Sequence, residues 1–484
     1  MSWWALKRKI HVSWLITILC FSIFVGIFLA QYLKIWSEFL SLFLVISAVL
    51  SGFVFWKKNT YLIPLLIIGG VLFGLWRGLI SQVEISQIAS YYNTVVKVEG
   101  RVKDDVDIGT SGQIVIRLDN LILNNKTVYG TFWITSDNAN IERGDNLELH
   151  GLLKPGFGSF SGLIYRATID KIITPQPGDV ARVVRDWFAS GIRKAIPEPE
   201  SSLGLGFLLG QRRALPIDLV TALQIVGLTH VVVASGYNLT ILVRLARRLF
   251  VKVSKYLAAL SSVVMIVGFI AVTGLSPSMT RAGLVSILSL AAWYYGRKFH
   301  PITLLAVAIA ATVLFNPSYA WGDLGWQLSF AAFAGVMIVA PLLQRYLFGD
   351  KKPGTIRQIL GETIAAQLAT APLIIMAFGQ FSNVAIVSNL MILPLVPLAM
   401  LLVFITGVIW LILPSIVFVI SAPTTWLLGY MVKVTEWLSG LPWAVSVLKP
   451  QAWMIIVYYL LLSAVCIYVA KVTKFKLREA NLVE

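Results

Sequence analysis

Cysteine is nearly absent: Cys20 and Cys466 are the two in 484 residues, and each sits inside an apolar run. That excludes a disulfide framework and leaves no metal-binding cysteine spacing. Histidine is as sparse. His11, His150, His230 and His300 stand apart, with no HxH or HExxH arrangement, so neither a catalytic metal nor another cofactor is expected. Charge is also short, at 13% of residues, where a soluble globule carries about 25%. In its place the chain has 57% hydrophobic residues and a mean hydropathy of +0.80. The membrane is its solvent, and the length accommodates about 12 spans of ~20 residues.

The net charge of +17 is unevenly spread: +6 over 1–81, −3 over 82–181, +10 over 182–300 and +4 over 301–484. The positive-inside rule accounts for most of this. Lys7-Arg8-Lys9 precede a first span, Trp14 to Leu33, which has no small-residue cleavage site after it and reads as retained. Spans at 39–55 and 61–80 follow, with Lys57-Lys58 between them, so the third exits on the outer face. These three helices make a segment 1–81.

From 82 to 178 the period falls to two. Val95–Glu99, Ile114–Leu118, Tyr129–Ile134 and Asn146–His150 read as strands, separated by turns at Asp107-Ile-Gly, Asn124-Asn125 and Arg143-Gly-Asp. Short strands at this density predict a small antiparallel barrel of OB type, placed outside the cytoplasm by span parity. Its aromatics, Tyr91, Tyr92, Phe132, Trp133, Phe157, Phe160 and Tyr165, are candidate stacking platforms, although the segment's negative charge opposes an anionic partner. Residues 179–200 hold an amphipathic helix. Val180, Val183, Val184, Trp187, Phe188, Ile192 and Ile196 lie on one face, and Arg182, Arg185 and Arg193 on the other, the pattern of an interfacial helix.

Further spans are expected near 229–245, 256–274, 278–296, 301–315, 323–343, 358–379, 384–412, 415–432 and 452–470. The basic groups between them alternate so that the N-terminus, the C-terminus and a basic tail at 473–484 are cytoplasmic. The fold class is therefore a polytopic α-helical membrane protein with an inserted small β-barrel. Several spans carry polar or helix-breaking residues that lipid would not tolerate. Gly227–Thr240 holds His230, Ser235, Gly236 and Asn238. Gly274–Gly283 breaks at Pro277 and sets Arg281 one turn into the next helix. Asn316–Phe330 brings Asp323, Gln327 and Ser329. Glu362–Pro372 brings Glu362, Gln367, Thr370 and a break at Pro372, and Asn389 follows among prolines. Singly, each has a structural explanation. Together they argue for a polar internal pathway, because ionisable groups and freed backbone at membrane depth face protein or water.

These segments resemble the competence domain of the ComEC family, the inner-membrane DNA-uptake channel of natural transformation. Gly204–Pro216 is similar to its LLLGDR-like stretch, with Gln211 in the acidic position. Gly227–Asn238 is similar to GLSHLLAISGLH, with Asn238 where histidine is common. Thr273–Ala282 is similar to TGLSPSxxRA, Asp323–Phe330 to DPGFQLSF and Ile364–Pro372 to LAAQLATxP. In the inserted domain, Gly144-Asp145 and Leu149–Pro155 are similar to the family's GDxxxxxGxLxxP strand. Gly162–Tyr165 sits where a GxFDY-like element follows, without its aspartate. The resemblance implies a competence-type channel domain over 201–472. Many family members continue into a metallo-β-lactamase-like nuclease, whose HxHxDH motif this sequence lacks, so the expectation is a channel subunit and not an enzyme.

A conduit for single-stranded DNA needs hydration, positive potential and weak sites. Arg182, Arg185, Arg193, Arg212 and Arg213 are the candidate DNA contacts, with Arg281 deeper in the membrane. Gln327, Gln367, Asn238 and Asn389 bond water or phosphate without trapping it. Asp323 and Glu362 are expected to be paired, with Arg281 a candidate partner, or to face away from the path. Implied partners are single-stranded DNA, membrane lipid, a DNA receptor, a separate nuclease and a cytoplasmic translocation ATPase or helicase. Two alternatives remain open on sequence: a small-solute transporter with broken helices, and an intramembrane serine hydrolase built on Ser235 and His230.

Overall fold

The computed structural model describes residues 10–33, 40–58, 60–108, 113–137, 140–176, 178–211, 215–232, 236–274, 276–296, 300–349 and 354–475. The early helices are α1 (Val12–Ala30), α2 (Leu40–Lys57), α3 (Ile63–Ala89), α4 (Val180–Ala195), α5 (Glu200–Leu209), α6 (Ile217–Ile225) and α7 (Thr229–Val232). The middle ones are α8 (Gly236–Phe250), α9 (Lys255–Thr273), α10 (Pro277–Tyr294), α11 (Pro301–Phe315), α12 (Ser318–Gly322), α13 (Leu324–Ala334) and α14 (Ala340–Phe348). The last are α15 (Thr355–Phe378), α16 (Ala385–Ile392), α17 (Val396–Ile412), α18 (Val417–Ser439) and α19 (Ala452–Thr473). The strands before α4 are β1 (Val95–Val102), β2 (Asp107–Ile108), β3 (Ile114–Leu123), β4 (Lys126–Val128), β5 (Phe132–Ser136), β6 (Asn146–Pro155), β7 (Gly162–Ile164) and β8 (Thr168–Ile173). A small hairpin, β9 (Gln380–Ser382) with β10 (Val445–Val447), comes later. The chain divides into two compact units: 1–178 with 299–327, and 179–298 with 328–484.

Among the described residues, eight helical segments are long and apolar enough to cross a membrane. They correspond to eight of the spans expected from sequence. The other four expected spans, at 39–55, 229–245, 278–296 and 301–315, are helical but fall outside that set. In the 229–245 stretch α7 and α8 are helical, residues 233–235 lie outside the described residues, and α8 runs on to Phe250, so Arg244, Arg247 and Arg248 belong to a helix and not to a loop.

In the first unit α1 and α3 meet along small residues spaced four apart. Ser22, Gly26 and Ala30 face Gly70, Gly74 and Gly78 in parallel register. A Cβ on Gly26 would collide with the Val71 carbonyl oxygen, and one on Gly74 with that of Ile23. Only bare backbone allows helices this close, and close van der Waals packing is what holds them together in lipid. The same unit takes in α11. Thr17 and Thr303 hydroxyls lie 2.8 Å apart, and Arg77 Nε donates to the Leu314 carbonyl at 3.0 Å, filling an acceptor that the end of α11 leaves open.

The barrel closes by the order β1-β3-β5-β7-β6 and back to β1, with β5–β7 parallel and the remaining pairs of the ring antiparallel. This is a closed five-strand OB-like barrel, extracytoplasmic in a multi-pass membrane protein. Alternation along β1 turns Val96, Val98 and Val102 inward, where they meet Ile116, Leu118, Phe132, Leu149 and Ile164, with Ile88 from α3 completing the core. The Asn124-Asn125 turn joins β3 to β4, with φ of +47° and +67°, the left-handed pair that a two-residue hairpin requires. Of the expected turn at Asp107-Ile-Gly, Gly109 lies outside the described residues. Asp107–Ile108 is a short strand paired with Val115 and Ile114, fixed by Arg117 Nη2 donating to Asp107 Oδ2 at 2.6 Å.

In the second unit α4 turns its arginine face partly inward. Arg185 is buried, whereas Val180, Val183, Val184 and Trp187 are exposed. Phe188 and Gly191 pack on Gly407 and Trp410 of α17. The expected break at Pro372 is corrected, because α15 continues through it. Proline removes the hydrogen bond to the carbonyl four residues back. That carbonyl, of Leu368, accepts the Tyr458 hydroxyl of α19 at 2.9 Å, and Ala369 O accepts Tyr459 at 2.8 Å.

Candidate functional site

Polar motifs of the second unit gather near α7 and the start of α8. Gly227, at φ +75°, makes the turn from α6 into α7. A Cβ there would stand 2.9 Å from Ala385 Cβ, and Ser388 Oγ donates to Val226 O at 2.7 Å, so the turn rests on α16. His230 follows in α7 with an exposed side chain. Asn238, wholly buried in α8, donates Nδ2 to Phe207 O at 3.0 Å and to Val231 O at 3.4 Å. It therefore braces the α5 end, α7 and α8 together. Ser235 lies outside the described residues.

Arg281 approaches the start of α8 from α10, which Ser276 caps by accepting from Met279 N at 3.3 Å and Pro277 opens at its first turn. Arg281 Nε donates to Ser329 Oγ at 2.7 Å, and Ser329 Oγ reaches Ser278 Oγ at 3.4 Å. The guanidinium lies 5.2 Å from the Phe333 ring centre and 5.8 Å from that of Phe330. Gly236 lies against it: a Cβ at that position would be 3.3 Å from Arg281 Nη2. Three of the sequence motifs thus converge on one cation held by a hydroxyl and two aromatic faces.

A second polar group lies between α15, β9 and α16. Gln367 Nε2 donates to Ser382 O at 3.5 Å, a long bond. Among the described residues, Gln367 Oε1, Ser382 Oγ and Asn389 Oδ1 are buried without a hydrogen-bond partner. Each such group costs about 1–3 kcal/mol. Thr370 only bonds back to Ala366 O, at 2.9 Å, and Glu362 accepts from Gln358 Nε2 at 2.9 Å on an exposed surface. The nearby space lined by Phe207, Leu228, Val231, Ile392, Met431 and Thr435 is mostly apolar and holds about 10 Å³, at most one water.

Asp323 and Gln327 belong to the first unit. Asp323 caps α13, Oδ1 accepting from Trp326 N at 2.7 Å, while Oδ2 accepts from Ser159 Oγ of the barrel at 2.8 Å. Its partners are thus a hydroxyl and a backbone N–H. Gln327 is half-buried. Of the arginines named as DNA contacts, Arg185 donates Nε to Asp186 Oδ1 at 2.9 Å and Nη1 to Val272 O at 3.4 Å. Gln211 Nε2 donates to the same Asp186 oxygen at 2.8 Å, and Arg193 Nη2 donates to Gln211 Oε1 at 2.8 Å. Arg182 N bonds the Asp179 cap, and Arg212 and Arg213 lie outside the described residues. Among the described residues no group of three His, Cys, Asp or Glu side chains is placed to hold a metal ion.

The family described as "Competence protein" matches residues 207–472, more than half of the chain. The chain belongs to the competence protein family. It is also similar to ComE operon protein 3 of Bacillus subtilis (strain 168), 23% identical over 230 residues, which is 47% of this chain and 29% of that protein. The chain thus spans less than a third of the length of that relative. No solved structure matches it. The family match covers Asn238, Arg281, Ser329, Gln367, Ser382 and Asn389, the side chains that build both polar groups. Reading the sequence for polar residues missed Ser382, Ser388 and Asp186. Their signal was weak, because serine is ordinary at helix ends and Asp186 sits on a helix full of arginine.

Proposed function

We propose that this competence family member is a channel for the uptake of single-stranded DNA across the cytoplasmic membrane, with its barrel outside and both ends of the chain inside. The observation that carries the reading is Arg281. A cation at membrane depth costs a few kcal/mol, and here, among the described residues, it is held by one neutral hydroxyl and two rings beside Gly236 at the start of α8. Such a cation is available to a phosphate, as a fully paired one is not. The orphaned amide and hydroxyl oxygens of Gln367, Ser382 and Asn389 suit hydration along a path, and neutral groups release what they bind. The mostly apolar space beside α7 is far too small for a nucleotide, so conduction on this reading requires α7 and α8 to move away from α16 and α18, with the Gly227 turn as hinge.

The network of Asp186, Gln211, Arg185 and Arg193 fixes Gln211, and on this reading Arg212 and Arg213, next to it in sequence, receive phosphate. On this reading a surface DNA receptor, a nuclease and a cytoplasmic translocation ATPase or helicase act with the conduit. The test is deletion of the gene in a transformable host, scoring labelled DNA in the cytosol against DNA bound at the surface. Loss of the cytosolic fraction with surface binding intact supports the channel. Unchanged cytosolic uptake sinks it.

A further inference from the structure

Of the eight aromatics of the barrel segment, Tyr129 is exposed just after β4, and the other seven fall into two sets. Phe132 is fully buried, and Tyr91 and Tyr92 pack against the core. Trp133 instead points outward from β5, between the inward Phe132 and Ile134. Its ring centre lies 6.1 Å from that of Phe157 and 5.6 Å from that of Tyr165, and Phe157 lies 5.3 Å from Phe160. Lys154 Nζ stands 5.5 Å from the Tyr165 ring centre. Phe157 and Tyr165 are 53% and 50% exposed.

The depth of this cluster is fixed by its loop. Ser159, between Phe157 and Phe160, donates to Asp323, the cap of α13 and of the apolar stretch Leu324–Phe348. Gly158 beside it has φ +60°, and a Cβ there would stand 3.0 Å from Gly322 O. Phe157 and Phe160 are two residues and one residue from that contact, within about 7 Å along the chain. The headgroup layer outside the hydrocarbon core is itself about 5–8 Å deep on each side. Tryptophan, tyrosine and lysine are the side chains that occupy this layer, each with an apolar body and a polar tip.

We propose that Trp133, Phe157, Phe160, Tyr165 and Lys154 form a foot that seats the barrel in the phospholipid headgroup layer of the outer leaflet, the rings at the glycerol level and the ammonium on phosphate. Stacked nucleic-acid bases are the rival occupant. Against them, Trp133 is already flanked by two edge-on rings, Lys154 covers Tyr165, and the segment 82–181 carries a net charge of −3. A zwitterionic headgroup meets no such repulsion. The proposal is independent of what the helical units conduct.

The test uses the full chain with Cys20→Ser and Cys466→Ser, bearing Phe157→Cys or, in a second variant, Tyr165→Cys, labelled with bimane. The protein is placed in nanodiscs of phosphatidylethanolamine and phosphatidylglycerol with spin-labelled lipid. The expected result is at least twofold quenching by headgroup-labelled lipid and less by lipid labelled near the acyl terminus. Asp137→Cys, an exposed position just beyond the end of β5 away from Phe132, is expected to be unquenched. Absence of lipid quenching at both foot positions, or equal quenching at Asp137, overturns the proposal. So does a saturable emission change on adding a single-stranded oligonucleotide without lipid quenching, which would assign the face to nucleic acid.

Discussion

Ser159 in the barrel and Asp323 at the start of α13 are separated by 164 positions and joined by one hydrogen bond of 2.8 Å, hydroxyl to carboxylate. The other carboxylate oxygen caps the helix through Trp326 N–H. One side chain therefore ends a loop and begins a span. Asp323→Ala is expected to cost more than Ser159→Ala, because it removes the cap, ordinarily about 1 kcal/mol, as well as the charged hydrogen bond, about 1.5–3 kcal/mol. A double-mutant cycle on thermal unfolding in detergent should give a coupling of about 1 kcal/mol or more. Additive single effects would show that the bond contributes nothing.

Tyr458 is expected to matter because of a residue it does not touch. With Pro372 in place, Leu368 O has no helical donor, and the Tyr458 hydroxyl supplies one. Tyr458→Phe should destabilise the protein by about 1–3 kcal/mol, the cost of an unsatisfied buried carbonyl. Pro372→Ala in the same chain should restore most of the loss, since the backbone N–H that proline lacks then bonds Leu368 O. Melting temperatures of the two single variants and the double variant decide it.

Gly74→Ala should separate α1 from α3. Its new Cβ would meet Ile23 O and Gly26 Cα, and backbone atoms cannot step aside as a side chain does. The cost is expected at the upper end of the overpacking range of about 1–3 kcal/mol. Gly52→Ala is the control. Its Cβ meets nothing within 4 Å, so the substitution should be neutral or gain up to about 1 kcal/mol of helix propensity. Equal loss in both variants would remove the close-packing argument.

How far this was legible beforehand depends on the kind of pattern. Apolar runs and basic flanks revealed the spans, and period-two alternation revealed β1, β3, β5 and β6, because both follow from burial on one face. β7 and β8 are too short, or too exposed, for alternation to mark. The four-spaced glycines of α3 escaped notice since each is unremarkable alone, and their meaning lies in Ser22, Gly26 and Ala30 facing them. No local pattern says that 299–327 packs with the first helices and not with its neighbours. Pro372 misled in the ordinary way, because its rescue comes from a tyrosine 86 positions away. Arg281, Asn238 and Ser329 stood out in the sequence as polar residues in apolar surroundings, but the pairing of Ser329 with Arg281 and the two phenylalanines around it did not.

Asp119 in β3 is expected to make the barrel's stability depend on pH. Burial pushes its carboxyl above the usual range, with Lys103 and Arg101 pulling partly back, and its Oδ1 has no partner among the described residues. A raised folded value means the charged form is the less welcome one in the fold. The penalty is absent below the unfolded carboxylate value of about 3.9 and grows as pH rises through the elevated folded one. Asp119→Asn should therefore raise the unfolding temperature at neutral pH and change it little at pH 4. Measured on the full chain, a gain that is equal at both pH values would assign the effect to something other than ionisation.

Arg281 is the residue on which the channel reading stands, and its substitutions separate charge from shape. Lysine keeps the charge but loses both the Nε bond to Ser329 and the flat contact with Phe330 and Phe333. Glutamine keeps a donor and loses the charge. If the cation attracts phosphate, Arg281→Gln should lower cytosolic uptake of DNA at least tenfold, about 1.4 kcal/mol in effective affinity. Arg281→Lys should then fall between glutamine and the parent. If the side chain only packs, lysine, which fits the two rings poorly, should be as damaging as glutamine, and both losses should follow the amount of folded protein in the membrane. Ser329→Ala removes the hydroxyl and leaves the cation, so uptake should drop only a few fold. The order of the three variants, each normalised to folded protein, discriminates a conducting role from a structural one.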